Sequence, residues 1–247
     1  MKIIEFGQDH TEVIILLHGG GLNWWNYQTE AKLLASKYHV VLPILPGHAG
    51  SDQDFYSIRQ CAQAIIAVIE QRYGGSVLLI GGLSLGAQVA VEILALRKDI
   101  CRYAIIESAQ VIPAPLTKAL LPVTLAASYG LIKQKWFARW QFRALKMAPA
   151  YFEDYYRDTC RISRQNLTAI LVANTSFTIP VSFAQTSARV ILVVGGKEGR
   201  KMRRSAALLH KAQPASLLQI KAGLYHGQFV LNHPREYAAD LARIVAS

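Results

Sequence analysis

The stretch VLLIGGLSLG at residues 77–86 decides the fold. Its first four residues form an apolar run typical of a buried strand, and an alanine-rich helical pattern, AQVAVEILAL, follows at 87–96. Between them Gly82, Ser84 and Gly86 make a G-x-S-x-G motif, which in isolation also fits a glycine-rich turn with a capping serine. Here the motif joins a strand to a helix, where a sharp turn presents the serine hydroxyl at a helix N-terminus. This context favours Ser84 as a nucleophile.

The same alternation of apolar runs and helical patterns extends along the chain. Runs that are apolar at nearly every position suit strands that helices cover on both faces. We therefore predict an α/β fold with a mostly parallel central sheet flanked by helices. The predicted strands are 13–17, 39–45, 77–80, 103–106, 190–194 and 217–220, and the predicted helices are 28–37, 57–72, 86–97, 202–212 and 235–246.

The regular spacing of strands breaks once. About 80 residues without a strand pattern separate the fourth and fifth predicted strands, which is too long for a loop. We expect a helical cap, or lid, inserted at 110–180. The core that contains the sheet then comprises residues 1–109 and 181–247.

The expected cap contains two kinds of helix. Residues 111–132 are apolar, but three prolines and Lys118 argue against a membrane span and predict two short apolar helices. These residues are expected to cover Ser84, and they and an aromatic cluster are expected to line an acyl pocket. A basic amphipathic helix is expected at 131–147. Its charged face is interpreted as solvated, and the alternatives are contact with anionic lipid or attraction of an anionic substrate. The aromatic cluster is Tyr151, Phe152, Tyr155 and Tyr156.

A second glycine-rich turn, His18-Gly19-Gly20-Gly21, follows the first predicted strand. Such a turn exposes backbone N–H groups. One of them can pair with the N–H of Leu85, the residue after the proposed nucleophile, to bind a developing oxyanion. His18 itself is expected to pack under the loop.

A nucleophilic serine needs a base, and the chain has seven histidines. His226 follows the last predicted strand, where a loop returns to the carboxyl edge of a parallel sheet, the edge at which open α/β sheets place their sites. We therefore predict His226 as the base. His233, in the sequence Asn-His-Pro, is the second candidate and fits a helix-entry residue better.

The base needs a carboxylate to hold its tautomer. Glu198 follows the fifth predicted strand and lies between Ser84 and His226 in the chain. Five nearby cations favour its ionised form. Glu107, at the end of the fourth predicted strand, is the competing candidate.

These motifs together resemble the α/β-hydrolase fold superfamily, and within it the serine hydrolases with an inserted helical cap. The resemblance rests on His18-Gly19, PGHAGS at 46–51, GLSLG at 82–86, GKE at 196–198 and His226-Gly227. It implies Ser84 as nucleophile, His226 as base and Glu198 as acid. It also implies that the backbone N–H groups of Gly20 and Leu85 form the oxyanion hole.

The chain departs from the family pattern in three places. Glu198 stands where the family usually has an aspartate. Ile44 stands where an aspartate is frequent, and we expect this to affect loop packing alone. The N-terminal strands are short, so the sheet is expected to lack its first edge hairpin.

Composition excludes several classes of protein. The chain of 247 residues is 52% hydrophobic and 17% charged, which excludes a disordered protein. Its net charge of +11 is concentrated at 110–180 and 197–211. No zinc-finger spacing, RNA-binding aromatic motif or basic tail accompanies this charge, so we expect no nucleic-acid partner.

Cysteine usage and the first residues bear on the cellular compartment. Three separated cysteines exclude a disulfide framework and a Cys-x-x-Cys metal site, and they favour a reducing environment. Glu5 and Asp9 interrupt the segment where a secretory signal needs an apolar run. We therefore expect a cytoplasmic protein.

The sequence as a whole predicts a serine esterase. The expected reaction is hydrolysis of a carboxylic ester or related acyl bond of a small, apolar substrate, without a cofactor or metal. One alternative keeps the fold and performs acyl transfer, carbon–carbon bond hydrolysis or haloperoxidase-like chemistry. Another is a ligand-binding protein with little turnover. Fold alone does not decide among these.

Overall fold

The predicted strands lie side by side in one sheet of the computed structural model, which describes residues 1–246. The strands are β1 (Ile3–Phe6), β2 (Val13–Leu17), β3 (His39–Pro43), β4 (Val77–Leu83), β5 (Cys101–Glu107), β6 (Arg189–Gly195) and β7 (Leu217–Lys221). Their order is β1-β3-β2-β4-β5-β6-β7. All neighbours are parallel except β1 and β3. The mostly parallel sheet and all six predicted strands are therefore confirmed.

The antiparallel edge strand β1 was not predicted. It has four residues, all half-buried, and Glu5 interrupts its apolar pattern, so nothing in it resembles the buried runs of the other strands. Within residues 1–246 it pairs with β3 and has no hairpin partner at the sheet edge, as expected from the short N-terminal segment.

Helices flank the sheet and connect its parallel strands. Those outside the long insertion are α1 (Gln28–Leu34), α2 (Ile58–Arg72), α3 (Leu85–Leu96), α8 (Arg200–Ala212), α9 (Gln228–Asn232) and α10 (Pro234–Val245). Five of them match the predicted helices. The short α9 was not predicted, because a single turn and a half carries too few residues for a periodic pattern.

The core lies on both faces of the sheet. Successive side chains of a strand point to opposite faces. Ile15 and Leu17 of β2 accordingly pack with α2 and α3, while Ile14 and Leu16 pack with α1 and α10. All seven residues of β4 are buried, so the strand before Ser84 is held from both sides.

Four α-helices and two short 3₁₀ helices (Pro149–Tyr151 and Val181–Gln185) occupy the segment between β5 and β6. The α-helices are α4 (Pro115–Ile132), α5 (Lys135–Leu145), α6 (Phe152–Thr159) and α7 (Arg164–Ser176). The basic helix is present as α5, within its predicted range. Helix α4 packs along α7, and α5 packs against α4 and α6.

The prediction of two short helices at 111–132 is wrong, because α4 is one helix of 18 residues. Pro113 precedes it and Pro115 is its first residue, where the missing N–H is harmless and the fixed φ suits a helix. Pro122 alone lies inside the helix. It removes one backbone hydrogen bond, to the carbonyl of Lys118, which lies in an exposed turn that water can reach.

Candidate active site

The backbone at Ser84 is strained. Ser84 joins β4 to α3 with φ +54° and ψ −108°, a conformation that non-glycine residues rarely adopt. A side chain on Gly82 would overlap the backbone of Gly86, and one on Gly86 would overlap the carbonyl of Leu17. The Ser84 N–H donates to the Glu107 carbonyl at 2.8 Å, which ties the turn to β5. The motif glycines are therefore required for the turn to close around Ser84.

His226 and Glu198 form a hydrogen-bonded pair, with 2.8 Å between His226 Nδ1 and Glu198 Oε2. The other carboxylate oxygen, Oε1, accepts hydrogen bonds from Ser108 Oγ and the Gly195 N–H, each at 2.7 Å. The Glu198 side chain is 2% exposed and the His226 side chain 44% exposed. Donation from Nδ1–H leaves Nε2 of a neutral ring as a proton acceptor.

The surroundings of Glu198 favour a carboxylate. Burial alone would raise the pKa of Glu198. The hydrogen bond and charge of His226, with the hydrogen bonds from Ser108 and Gly195, outweigh this and lower the pKa below its usual value. Glu198 is therefore ionised at neutral pH, although it is buried.

The loop that carries His226 contacts the Ser84 turn. Gly227, the next residue, has φ +68°, and a Cβ built on it would lie 3.1 Å from Leu83 Cδ1. Leu83 directly precedes Ser84. A glycine at 227 therefore permits both the left-handed backbone and the close approach of the two loops.

Glu107 is near these residues but plays a different structural part. Its carbonyl holds the Ser84 turn, and its carboxyl group is buried without contacting His226. Burial raises the pKa of Glu107 to about 8, and the charge of Glu198 adds to this, while the backbone of Val230 opposes it. Glu107 is therefore neutral at neutral pH, and the structure brings Glu198 rather than Glu107 to the histidine.

The loop at 18–21 is held by side chains on both sides of Gly20. Asn26 Oδ1 accepts the Gly19 N–H at 3.2 Å, and His48 Nε2 accepts the Gly21 N–H at 3.2 Å. Among residues 1–246 no acceptor is found for the Gly20 N–H. The loop is thus fixed while the Gly20 donor stays available.

The available donor lies beside the first turn of α3. A Cβ built on Gly20 would lie 3.6 Å from Leu85 Cβ and 3.5 Å from Ile170 Cγ2. Leu85 is the first residue of α3, so its N–H has no acceptor within the helix. Gly20 and Leu85 are therefore neighbours, Leu85 directly follows Ser84, and the Ile170 side chain of α7 lies beside Gly20.

Two buried histidines shape the glycine loop. His18 Nδ1–H donates to the Gly19 carbonyl, and His18 Nε2 accepts the Leu45 N–H. Burial lowers the pKa of His18 well below its usual value and that of His48 to about 4, so both rings are neutral. His18 packs under the loop, as expected. The part of His48 was missed, because it depends on a contact 27 residues away in the chain.

The inserted helices are hydrogen-bonded to two segments of the core that follow β2 and β3. Asp158 of α6 is 3% exposed and accepts hydrogen bonds from Asn23 Nδ2 and Trp25 Nε1, each at 2.9 Å. Asn23 and Trp25 lie two and four residues after the glycine loop. Asn166 of α7 also accepts the Phe55 N–H at 2.9 Å. Helices α6 and α7 are therefore fixed at the carboxyl ends of the parallel strands, which is also where Ser84 lies.

A third attachment joins α5 to the histidine loop. The carbonyl of Lys146, just after α5, accepts hydrogen bonds from Gln228 Nε2 at 2.9 Å and Asn232 Nδ2 at 3.0 Å. Lys146 Nζ also lies 3.3 Å from the centroid of the Tyr225 ring. The segment after α5 thus packs beside His226.

The aromatic residues expected in an acyl pocket are used in packing between elements. The Tyr151 ring stacks on Trp25, with 5.6 Å between centroids. The rings of Phe152 and Tyr155 each pack on the Phe142 ring of α5, with 5.4 Å between ring centroids. Of the apolar residues of α4, Leu116, Leu120 and Val123 are exposed rather than turned towards Ser84. Helix α7, through Ile170, is the inserted helix that reaches the glycine loop.

Metal ligation finds no support in the described residues. Residues 1–246 contain no group of three or more His, Cys, Asp or Glu side chains placed to hold a metal ion. The three cysteines are free, and two of them, Cys61 and Cys101, are buried.

The family model of the alpha/beta hydrolase family matches residues 14–240. This match covers the parallel strands of the sheet, the glycine loop, the Ser84 turn and the His226 loop, and it leaves out the edge strand β1. The chain belongs to the alpha/beta hydrolase family, and this membership supports a hydrolase.

Solved structures with the same fold include several hydrolases. An esterase from Exiguobacterium antarcticum superposes with a TM-score of 0.84 at 16% identity, covering 99% of this chain and 95% of that one. A thermophilic esterase from Thermogutta terrifontis gives 0.80 at 14% identity, covering 100% and 94%. The enol-lactonase from Burkholderia xenovorans LB400 gives 0.81 at 13% identity, covering 100% and 96%. At these identities the likeness establishes the α/β-hydrolase fold.

Proposed function

We propose that the protein is a serine hydrolase that cleaves a carboxylic ester or related acyl bond through an acyl-enzyme. Ser84 is the nucleophile, His226 the base and Glu198 the acid. The observation that carries the proposal is the 2.8 Å bond from His226 Nδ1 to the ionised, buried Glu198, in a loop that contacts the Ser84 turn.

The first half of the reaction forms the acyl-enzyme. Ser84 Oγ attacks the carbonyl carbon while His226 Nε2 takes the hydroxyl proton, and the carbonyl electron pair moves to oxygen. When the tetrahedral intermediate collapses, the bond to the leaving alcohol breaks and the alcohol takes the proton from His226. Glu198 stabilises the imidazolium that exists between these steps.

The second half regenerates the enzyme. A water molecule attacks the acyl carbon, and His226 accepts its proton. Collapse of the second intermediate returns that proton to Ser84 Oγ and releases the carboxylic acid. In both halves the N–H groups of Gly20 and Leu85 bind the oxyanion, and each such donor typically contributes 10²–10³ in turnover.

The inserted segment is proposed to act as a cap over the site. Residues 110–180 form the cap, and 1–109 with 181–247 form the catalytic core. The bonds of Asp158 and Asn166 and the contact of Ile170 with Gly20 support this division. Ile170 presents an apolar surface beside the oxyanion donors, which favours a small apolar acyl group.

The kind of acyl bond is proposed from the similar solved structures as well as from the site. Structures with this fold include two esterases and an enol-lactonase, and these names support a bond of the ester type. We propose a carboxylesterase of the cytoplasm with a small-molecule substrate. Each catalytic group in the proposed steps is a side chain or a backbone N–H group of this chain.

The experiment is hydrolysis of p-nitrophenyl esters of graded chain length by the purified protein and by Ser84→Ala. We expect turnover that is greatest for short apolar chains and absent in the variant. Turnover that persists in folded Ser84→Ala would contradict the serine mechanism. No turnover of any ester by the wild type would favour acyl transfer, carbon–carbon hydrolysis or ligand binding instead.

A further inference from the structure

Helix α4 is apolar on both of its faces, but only one face is covered. Leu125 and Ile132 are buried where α4 packs along α7. On the opposite side four residues spaced to fall on one line of the helix are exposed. They are Leu116 (73%), Leu120 (54%), Val123 (71%) and Leu131 (40%), and we call them the apolar stripe. An apolar stripe on a helix is normally buried against another element, so this stripe lacks a partner among the described residues.

Helix α5 presents a second unusual face. Ala138 and Phe142 are buried towards the protein. The opposite, exposed face carries two tryptophans and two arginines, namely Trp136 (65% exposed), Arg139, Trp140 (64% exposed) and Arg143. We call it the Trp-Arg face. Two tryptophans this exposed leave a large indole surface in water, and their N–H groups suit a boundary between apolar and wet surroundings.

The charge of this region has one sign. Residues 108–152 contain no Asp or Glu, but they contain six cations. Among residues 1–246, only one of these cations, Lys135, has an acidic partner, Glu153. The others are Lys118, Lys133, Arg139, Arg143 and Lys146. Exposed apolar side chains, tryptophans and cations without an acidic partner therefore occur together on α4, α5 and the residues that end them. Three of these cations, Lys133, Arg139 and Lys146, lie over aromatic rings of the protein.

We propose that α4 and α5 dock on an anionic lipid surface. The apolar stripe would enter the boundary between headgroups and acyl chains, the tryptophans would lie at that boundary, and the cations would contact lipid phosphates. By length and composition α4 is the one helix of the described residues that could cross a membrane. Because its other face is packed on α7, the helix lies in the plane of the surface rather than across it.

Charge decides between lipid and a second copy of the chain. A symmetric dimer through this face would bring the same cations of both copies together, and like charges across an interface disfavour association. An anionic lipid surface supplies negatively charged headgroups for the cations and, directly beneath them, an apolar layer for the stripe. The proposal is independent of the serine mechanism, because none of these side chains contacts Ser84, His226 or Glu198.

The test is co-sedimentation with vesicles of phosphatidylglycerol mixed with phosphatidylcholine, compared with phosphatidylcholine alone. Three variants are measured. The stripe variant is Leu120→Gln with Val123→Gln, the face variant is Arg139→Glu with Arg143→Glu, and the control is Arg203→Glu with Arg204→Glu on α8. The control changes the net charge as much as the face variant does, at exposed arginines of another basic helix. Hydrolysis of p-nitrophenyl butyrate and circular dichroism report folding.

We expect the wild type to bind the anionic vesicles and not the neutral ones. Because each cation near an anionic surface changes affinity by about fivefold, the face variant should bind at least roughly tenfold more weakly. The stripe variant should also lose binding, and the control should keep it. Tryptophan emission should shift to shorter wavelength on binding, and a Trp136→Ser, Trp140→Ser variant should lose the shift.

Several outcomes would overturn the proposal. These are no binding by the folded wild type, equal loss in the α8 control, or unchanged binding by the stripe variant. The first and last would exclude an inserted apolar face, and the second would indicate attraction by net charge alone. A dimer in solution that the stripe variant dissociates, without vesicle binding, would assign the face to a second copy.

Discussion

Ser108 Oγ donates a hydrogen bond of 2.7 Å to Glu198 Oε1, the carboxylate oxygen that His226 does not use. Ser108 directly follows β5 and has φ +56°, so its own backbone is held in the left-handed region. Its N–H donates to the Val193 carbonyl of β6 at 2.9 Å. The serine is thus positioned by the sheet to orient the carboxylate from the side opposite the histidine.

Ser108→Ala should therefore weaken catalysis without abolishing it. A hydrogen bond to a charged group contributes about 1.5–3 kcal/mol, so we expect turnover to fall by about tenfold or somewhat more. The pKa of Glu198 should rise because its ionised form loses a donor. The measurement is kcat as a function of pH, and Ser108→Thr is the matched control that keeps the hydroxyl. Unchanged kcat in Ser108→Ala would contradict a positioning role.

Replacing Ser84, the proposed nucleophile, should affect activity and stability in different ways. Ser84→Ala and Ser84→Gly should both lose esterase activity. Only the glycine variant should gain stability, since it alone adopts φ +54° without a Cβ clash. Relief of strain of about 1–3 kcal/mol, less about 0.5–1 kcal/mol for the added chain entropy of glycine, leaves a net gain near 1 kcal/mol. Thermal unfolding should show a Tm higher by about 2–4 °C. A glycine variant less stable than the alanine variant would contradict strain at this turn.

Substitutions of Glu198 and of Glu107 should have very different effects on turnover. Glu198→Gln should lower kcat by about 10⁴, because the histidine is then held in the wrong tautomer and its cation is not stabilised. Glu107→Gln should retain most activity, since Glu107 is already neutral and glutamine has its size. Steady-state kinetics with one ester measures both. A dead Glu107→Gln with an active Glu198→Gln would reverse the assignment.

Buried carboxyl groups should make the protein less stable as pH rises. Glu30 is fully buried, and no other residue among 1–246 forms a hydrogen bond with its carboxyl oxygens. Burial raises its pKa to about 8, as it does for Glu107. Between about 4.5 and about 8 the folded state holds protons that the unfolded state has released. The free energy of unfolding then falls by up to about 1.4 kcal/mol per pH unit for each group.

The double variant Glu30→Gln, Glu107→Gln removes this dependence. Urea unfolding at about pH 5 and about pH 8 should show the wild type losing stability relative to the variant over this interval. Glu153→Gln, an exposed glutamate on α6, is the control and should follow the wild type. Parallel curves for the wild type and the double variant would contradict neutral buried carboxyls.

Local features of the chain could be predicted from the sequence. The strands are apolar at nearly every position because both faces are covered, and the turn at Ser84 needs glycines on either side of it. Such signals lie within a few residues. The prediction of two helices in place of the single helix α4 was wrong. It treated three prolines as helix breakers, although two of them precede or begin the helix.

Contacts between distant parts of the chain could not be predicted. Ser108 meets Glu198 across 90 residues, His48 meets Gly21 across 27, and Asp158 meets Asn23 across 135. Each is an ordinary polar residue with no local pattern. Their parts follow from the order of strands in the sheet and from the docking of α6, which local periodicity does not encode.

The central claim is that Ser84 is an activated nucleophile, and its most direct test is intact-mass analysis after treatment with a fluorophosphonate. We expect one adduct per chain, located on Ser84 by peptide mapping, absent in Ser84→Ala and formed far more slowly in Glu198→Gln. A folded wild-type protein that forms no adduct, or equal labelling of Ser84→Ala, would contradict it.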